Sequence, residues 1–210
     1  FRIRVARNAA TKLVFWRGAI SDAAATVRAV AFRQNGKLIG CDGADVGSNL
    51  IVHSASSLQC LVTNRQTLAC DFRGTGPLNK WGAGVTFVTG VSTNTGAMRI
   101  YEGSWYANGQ HTVAGAYTVS NNAVLGGAGV IAPAAGNGVT ILGTLAPGAE
   151  PGACGTLTLG SAEQATTLTL NGTLALDISA ESCDAVAVQG NVMVGDVLAV
   201  TVSADDEEVW

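Results

Sequence analysis

The chain has 210 residues, of which 48% are hydrophobic and 13% are charged, and it contains 27 glycines. This apolar content excludes a disordered chain, and the length is sufficient for one domain with a sizeable core. No apolar run approaches the roughly 20 residues that a membrane-spanning helix needs, so we expect no membrane span in this chain.

Charge is divided unevenly along the sequence. All 12 Lys and Arg residues lie at or before Arg99 together with 4 acids, which gives +8, whereas residues 100–210 hold the other 11 of the 15 acids and no Lys or Arg. This distribution could be a drift in surface composition. Alternatively, in a stack of repeats it could make the two ends oppositely charged. Such ends would favour head-to-tail association that salt weakens. The basic residues are scattered and no nucleic-acid motif is present, so we expect no nucleic-acid partner.

The first 35 residues contain short alternating runs, such as Lys12–Trp16. Asp22 could cap a short helix, but the alternation over Val27–Phe32 favours a strand. We interpret residues 1–35 as N-terminal strands or a cap, residues 36–203 as repeated coils and residues 204–210 as an acidic tail. Because the chain begins and ends abruptly, we also expect it to be a piece of a longer polypeptide.

The most regular stretch runs from Ala123 to Ile178. Its apolar runs are short and alternate buried-type with small or polar residues, which is typical of strands with one inward face. The fragment Gly-Thr-Leu recurs at 143–145, 155–157 and 172–174. Leu125 and Leu145 are separated by about 20 residues, and Val119 and Ile141 by about 22 residues, which are repeat lengths typical of solenoids. This recurrence predicts a solenoid of parallel strands, and a β-sandwich with similar turn spacing is the alternative.

Two series of motifs in this region resemble a known family. The first is Lys80-Trp81-Gly82-Ala83-Gly84, Gly90, Thr95-Gly96, Gly103 and Asn108-Gly109. The second is Leu125-Gly126-Gly127-Ala128-Gly129, Leu145-Ala146-Pro147-Gly148, Pro151-Gly152 and Gly155-Thr156-Leu157. The first series resembles the autotransporter-associated β-strand repeat, also called the passenger-associated transport repeat, and the second is similar to the segment that usually follows it. The resemblance covers roughly residues 66–203. It implies a right-handed parallel β-helix in a secreted or surface-displayed bacterial protein, and it implies no single activity.

The chain contains five cysteines, namely Cys41, Cys60, Cys70, Cys154 and Cys183. There is no CxxC motif, and His53 and His111 are not at metal-ligand spacing to them, so we expect no zinc site. In an oxidising compartment the candidate disulfides are Cys41–Cys60 or Cys60–Cys70, and Cys154–Cys183. Buried free thiols are the alternative.

Carboxylates are the side chains that could carry catalysis or bind a metal. Parallel β-helix enzymes often act on polysaccharides through paired acids, but the acids in the middle coils form no close pair at coil spacing. Asp177 and Asp184 could be neighbours, although both residue types are common in turns. We therefore assign no catalytic residue and expect no enzymatic activity. The terminal run Asp205, Asp206, Glu207 and Glu208 could bind Ca²⁺, but a solvated acidic surface is more common.

Aromatic residues could form a sugar-binding platform, although they more often fill a core. The candidates are Trp16, Trp81, Tyr101, Trp105, Tyr106 and Tyr117. Trp105 and Tyr106 are adjacent on a predicted strand and must face opposite ways. At least one of them is therefore predicted to face outward as a contact surface.

These patterns favour an all-β protein in a single elongated domain, and the resemblance implies that it is a right-handed parallel β-helix. The favoured role is a structural or adhesive segment at the bacterial cell surface or outside the cell. Its partner would be a second copy of the chain or a cell-surface or host component. The alternative is a polysaccharide-binding or polysaccharide-degrading β-helix protein.

Overall fold

The computed structural model describes six strands between residues 12 and 61, and then residues 62, 64–69, 71–196 and 198–204. All regular secondary structure in these ranges is β-strand. The six early strands are β1 Lys12–Val14, β2 Val30–Phe32, β3 Lys37–Ile39, β4 Asp45–Val46, β5 Leu50–Val52 and β6 Ser57–Leu61. The later strands are β7 Arg65–Leu68, β8 Phe72–Gly74, β9 Leu78–Trp81, β10 Val85–Val88, β11 Val91–Ser92, β12 Met98–Ile100, β13 Gly103–Ala107, β14 Gln110–Ala114, β15 Tyr117–Val119, β16 Ala123–Gly127, β17 Val130–Pro133, β18 Gly138–Ile141, β19 Thr144–Pro147, β20 Thr156–Leu159, β21 Thr166–Leu170, β22 Thr173–Ile178, β23 Ala185–Val188, β24 Gly190–Val194 and β25 Ala199–Ala204.

The strands form three parallel sheets. The first sheet has the order β1-β3-β6-β9-β12-β15-β18-β21-β24, the second β2-β5-β8-β11-β14-β17-β20-β23, and the third β4-β7-β10-β13-β16-β19-β22-β25. From β3 onward each sheet takes every third strand, so one coil of chain contributes one strand to each sheet. The predicted all-β, parallel stacking is confirmed. The β-sandwich alternative, which needs neighbouring antiparallel strands, does not describe these sheets.

The register confirms the predicted coil length and shows that it varies. Leu125 is the register partner of Leu145, and Val119 is the partner of Ile141. Two of the Gly-Thr-Leu fragments also stack, because Leu145 pairs with Leu174 in the third sheet across a markedly longer coil. The remaining fragment does not join them, since Leu157 lies in β20 of the second sheet. Insertions are therefore accommodated in the loops, while the strands keep their stacking.

Inward-facing side chains of all three sheets meet in one core. Because successive residues of a strand face opposite ways, each strand gives the core every second residue, and parallel register places these residues in columns. One column of the first sheet runs through Ile100, Val119, Ile141 and Leu170, all of which are buried. Removing such a side chain from water contributes roughly 1.5–3 kcal/mol, so the core is the main stabilising feature of the stack.

Close approach between coils explains one of the corner glycines in the first motif series. Gly103 has a φ of 65°, in the left-handed region that favours glycine. A Cβ at this position would lie 2.4 Å from the carbonyl oxygen of Gly82 in the preceding coil. Any other residue here would force neighbouring coils apart.

Several predictions fall at the edge of the described residues. Val30–Phe32 is a strand, as favoured over a helix at this point, whereas Asp22 and most of residues 1–35 lie outside the described ranges. Residues 205–210 of the predicted acidic tail also lie outside them. Among the described residues, no helix is long and apolar enough to cross a bilayer.

Candidate interaction surface

The last described coil of the stack exposes side chains in β24 whose register partners in β21 are buried. Val192 and Val194 of β24 are 51% and 54% exposed, whereas their register partners Leu168 and Leu170 are 3% and 4% exposed. The columns are the same, and the difference is that β24 has no further described strand stacked on it. The inward side of this coil is an aliphatic surface.

The third sheet ends in the same way. Val200 and Val202 of β25 continue the inward columns of Leu174 and Leu176, and each is more than half exposed. We refer to Val192, Val194, Val200 and Val202 as the open rung. Large exposed apolar surfaces are candidates for interaction sites. Since β23, β24 and β25 are the last described strands of their sheets, their edges can also pair with a further strand.

The two ends of the described stack differ in charge. Asp177, Glu181, Asp184 and Asp196 belong to the last two coils. At the other end, Lys12 of β1 is the register partner of Lys37 in β3.

One of these acids ties neighbouring coils together. The buried carboxylate of Asp184 accepts hydrogen bonds from the backbone N–H of Gly155 at 2.8 Å and from that of Asp177 at 2.9 Å. Asp177 and Asp184 are therefore neighbours, although through a backbone N–H and not as a carboxylate pair. We call this arrangement the Asp184 bracket. It joins the loop that follows β19 to the loop that follows β22.

The cysteines that the structure describes lie beside this bracket. Cys154 and Cys183 are free thiols. The thiol of Cys154 donates to the carbonyl oxygens of Asp177 at 3.4 Å and Ser182 at 3.5 Å. Their pairing stays a prediction. Cys41, Cys70 and the side chain of Cys60 lie outside the described residues, so their candidate pairings stay predictions as well.

The predicted contact surface at Trp105 and Tyr106 is wrong, because both side chains are buried, at 2% and 3% exposure. The two do face opposite ways, and Trp105 joins the core. Tyr106 points to the outer side of the third sheet, where its ring stacks on Phe87 with centroids 5.4 Å apart. It also lies over Gly126, where a Cβ would be 2.5 Å from the ring. Burial, and secondly the charges of Asp177 and Asp184, raise the pKa of Tyr106 to about 12.

Trp81 and Tyr101 are the aromatic pair that reaches the outer surface. Trp81 is 37% exposed and Tyr101 is half-buried. Their rings are stacked with centroids 4.0 Å apart and planes 13° apart. Each ring therefore uses one face on the other, and a sugar that stacks on an aromatic face would find these two faces occupied. Trp16, another platform candidate, lies outside the described residues.

A histidine that sequence reasoning left without a role lies inside the stack. The buried His111 donates from Nε2 to the carbonyl oxygen of Asn94 at 3.1 Å. Since a carbonyl only accepts, Nδ1 is the acceptor for the hydroxyl of Tyr117. Burial lowers the pKa of His111 to about 4, with the bond to Asn94 opposing the shift, and burial raises the pKa of Tyr117.

The space beside His111 is too small for a ligand. A cavity of about 10 Å³ is lined by Ser92, Trp105 and Tyr117 among others, and this is close to the least volume that admits one water molecule. Alternation on β14 and β15 would have identified the inward positions of His111 and Tyr117, but the sequence holds no signal for their contact.

A lysine is also enclosed by the stack. Lys80 occupies the inward column of Ile100 and is fully buried. Its Nζ donates to the carbonyl oxygens of Gly82 at 2.6 Å, Trp81 at 3.0 Å and Glu102 at 3.1 Å. These bonds anchor the corner formed by the Lys80–Gly84 motif, so the lysine of the motif has a structural role.

Within the described ranges, no group of three or more His, Cys, Asp or Glu side chains could hold a metal ion. The run Asp205, Asp206, Glu207 and Glu208 lies outside those ranges, and its calcium site stays a prediction.

Comparison with protein families, with curated proteins and with solved structures finds no match to this chain.

Proposed function

We propose that the chain is a structural segment of a secreted or surface-displayed bacterial protein, and that copies of it associate end to end. The three parallel sheets would form a right-handed parallel β-helix, as the motif resemblance implies. Such a stack extends a stiff body and presents side-chain columns along its length. Its work is to span distance and offer surface.

The observation that carries the proposal is the open rung. The partners of Val192 and Val194 in the preceding coil are buried and those of Val200 and Val202 are half-buried, so another coil placed on the four valines would continue the core. Each such side chain would then gain roughly the transfer free energy of a buried aliphatic residue.

Charge favours the first coil of a second copy as the occupant. The last described coils are acidic, and at the opposite end Lys12 of β1 is the register partner of Lys37 in β3. A contact between unlike ends that does not close into a ring produces a filament by repetition. Ion pairs at its rim would be screened by salt, which makes low ionic strength the favourable condition.

The test is sedimentation velocity of the chain at low and high salt over a range of concentrations. We expect association that increases with concentration and decreases with salt. Val194→Glu should abolish it by placing a charge on the open rung. Met193→Glu is the matched control, because Met193 is the adjacent residue of β24, is 59% exposed and points to the outer side of the sheet.

A wild-type chain that stays monomeric at every concentration in low salt would contradict end-to-end association. Equal effects of the two variants would contradict the open rung as the interface. Far-ultraviolet circular dichroism of both variants checks that each retains the β-structure of the wild type.

A further inference from the structure

We propose that Cys154 and Cys183 are a paired redox site, which closes to a disulfide and links two neighbouring coils beside the Asp184 bracket. The first support is register. Thr156 pairs with Ala185 in the parallel β20–β23 ladder. Cys154 and Cys183 stand at the same separation in the sequence, and each precedes its member of this pair by two positions.

The bracket extends that register beyond the strands. The hydrogen bond from Gly155 N–H to Asp184 Oδ1 joins the residues that directly follow the two cysteines. Neighbouring strands of a sheet lie ≈ 4.7–4.9 Å apart, which is within the Cα separation of about 4.4–6.8 Å that disulfides require. A continuation of this register by two positions would therefore place the two cysteines at bonding range.

The side chain of Cys154 already faces its partner. Its sulfur contacts the carbonyl oxygen of Ser182, which belongs to the peptide unit that leads into Cys183. The turn at Cys183 is itself closed by backbone pairing of Ile178 with Cys183 and by a hydrogen bond from Ser179 N–H to Ser182 O at 2.8 Å. Closing the bond requires a side-chain rotation of one or both cysteines.

The exposure of the two cysteines determines which thiol reacts first. Cys183 is exposed and Cys154 is half-buried, so the Cys183 thiolate attacks a small-molecule disulfide and expels one thiol. The Cys154 thiolate then attacks the Cys183 sulfur of the mixed disulfide and expels the second thiol. Both cysteine protons end on the two released thiols. The protein is oxidised by two electrons, and the small disulfide is reduced.

The sequence makes the bond easy to map. No Lys or Arg follows Arg99, so trypsin releases residues 100–210 as one peptide, in which Cys154 and Cys183 are the only cysteines. The native full chain would be incubated with oxidised glutathione, unfolded, alkylated and digested. We expect this peptide to carry no alkyl group and to be lighter than its reduced form by two hydrogen atoms. Cleavage after Glu163 and Glu181 should then give two peptides joined only before reduction.

Two variants test the geometry. Asp184→Ala removes the bracket and should slow closure several-fold, whereas Asp196→Asn, at an exposed acid of the last coil, should leave the rate unchanged. Oxidation should raise the urea midpoint of the wild type, and a reductant should reverse the increase. Cys183→Ser cannot form this disulfide, so oxidation should not raise its urea midpoint by way of the Cys154–Cys183 pair.

Full alkylation of both cysteines after oxidation of the native chain would overturn the proposal. So would a linkage of either cysteine to Cys41, Cys60 or Cys70 in place of the other, or an unchanged closure rate in Asp184→Ala.

Discussion

The side chains inside the stack change along the chain from a mixture of polar and apolar residues to mostly aliphatic residues. The backbone follows the same coiled path in both regions. In the coils up to β15, inward or enclosed positions include Gln66, Lys80, Thr86 and His111, all buried. From β16 to β21 the corresponding positions are mostly aliphatic, as in Leu125, Leu145, Leu157, Leu159, Leu168 and Leu170, and Thr166 of β21 is a buried polar exception. Parallel register specifies which side chains point inward, but it does not require that they be apolar.

The two regions are stabilised in different ways. An aliphatic rung gains free energy from burial alone, whereas a buried polar group must find a hydrogen-bond partner or it opposes folding. Lys80 and His111 have such partners. The side-chain oxygens of Gln66 and Thr86 are buried without one among the described residues. The polar region therefore combines well-satisfied and poorly satisfied positions, and the aliphatic region does not.

The largest effect is expected in the aliphatic region. Leu145→Ala should lower the free energy of unfolding by about 3 kcal/mol, because it opens a cavity between Leu125 and Leu174 in one column. Leu142→Ala, at an exposed leucine earlier in the same coil, should change it by less than about 0.5 kcal/mol. Urea unfolding measures both. Similar losses in the two variants would show that burial does not control the stability of this region.

A pH-dependent effect of similar size is expected in the polar region. Unfolded His111 binds a proton at its ordinary pKa of 6.5, but folded His111 does so only at about 4. The unfolded chain therefore holds more protons between these values, and stability should fall as the pH decreases from about 6.5 to about 4. The loss should approach about 3 kcal/mol at the lower end.

Urea unfolding at pH 7 and at intermediate acid pH measures this dependence. His111→Gln keeps a donor for the carbonyl of Asn94 and cannot titrate, so its stability should depend less on pH over this range. An identical pH profile in the variant and the wild type would assign the dependence to other groups.

The smallest effect is expected at an unpartnered hydroxyl. Thr86→Val should raise the free energy of unfolding by about 1 kcal/mol, because it replaces a buried oxygen that has no partner with a methyl group of similar shape. Thr144→Val, at a half-buried outward position of β19, is the control and should change it by less than about 0.5 kcal/mol. Destabilisation by Thr86→Val would mean that this hydroxyl is satisfied in solution.

The sequence by itself determined the class of the fold and much of its register. Alternation is a local property of a strand, and a recurrence at coil length is visible without coordinates, so the partners Leu125 and Leu145 could be named in advance. The same reasoning placed Trp105 and Tyr106 on opposite sides of β13.

Only the tertiary structure decided which groups lie against each side of a strand. Tyr106 is buried because Gly126 of the next coil leaves room for its ring, and the open rung is exposed because no further described coil covers it. The Asp184 bracket and the contact of His111 with Tyr117 likewise join residues through space. Such contacts depend on how coils of unequal length bring distant side chains together, and no local pattern contains that information.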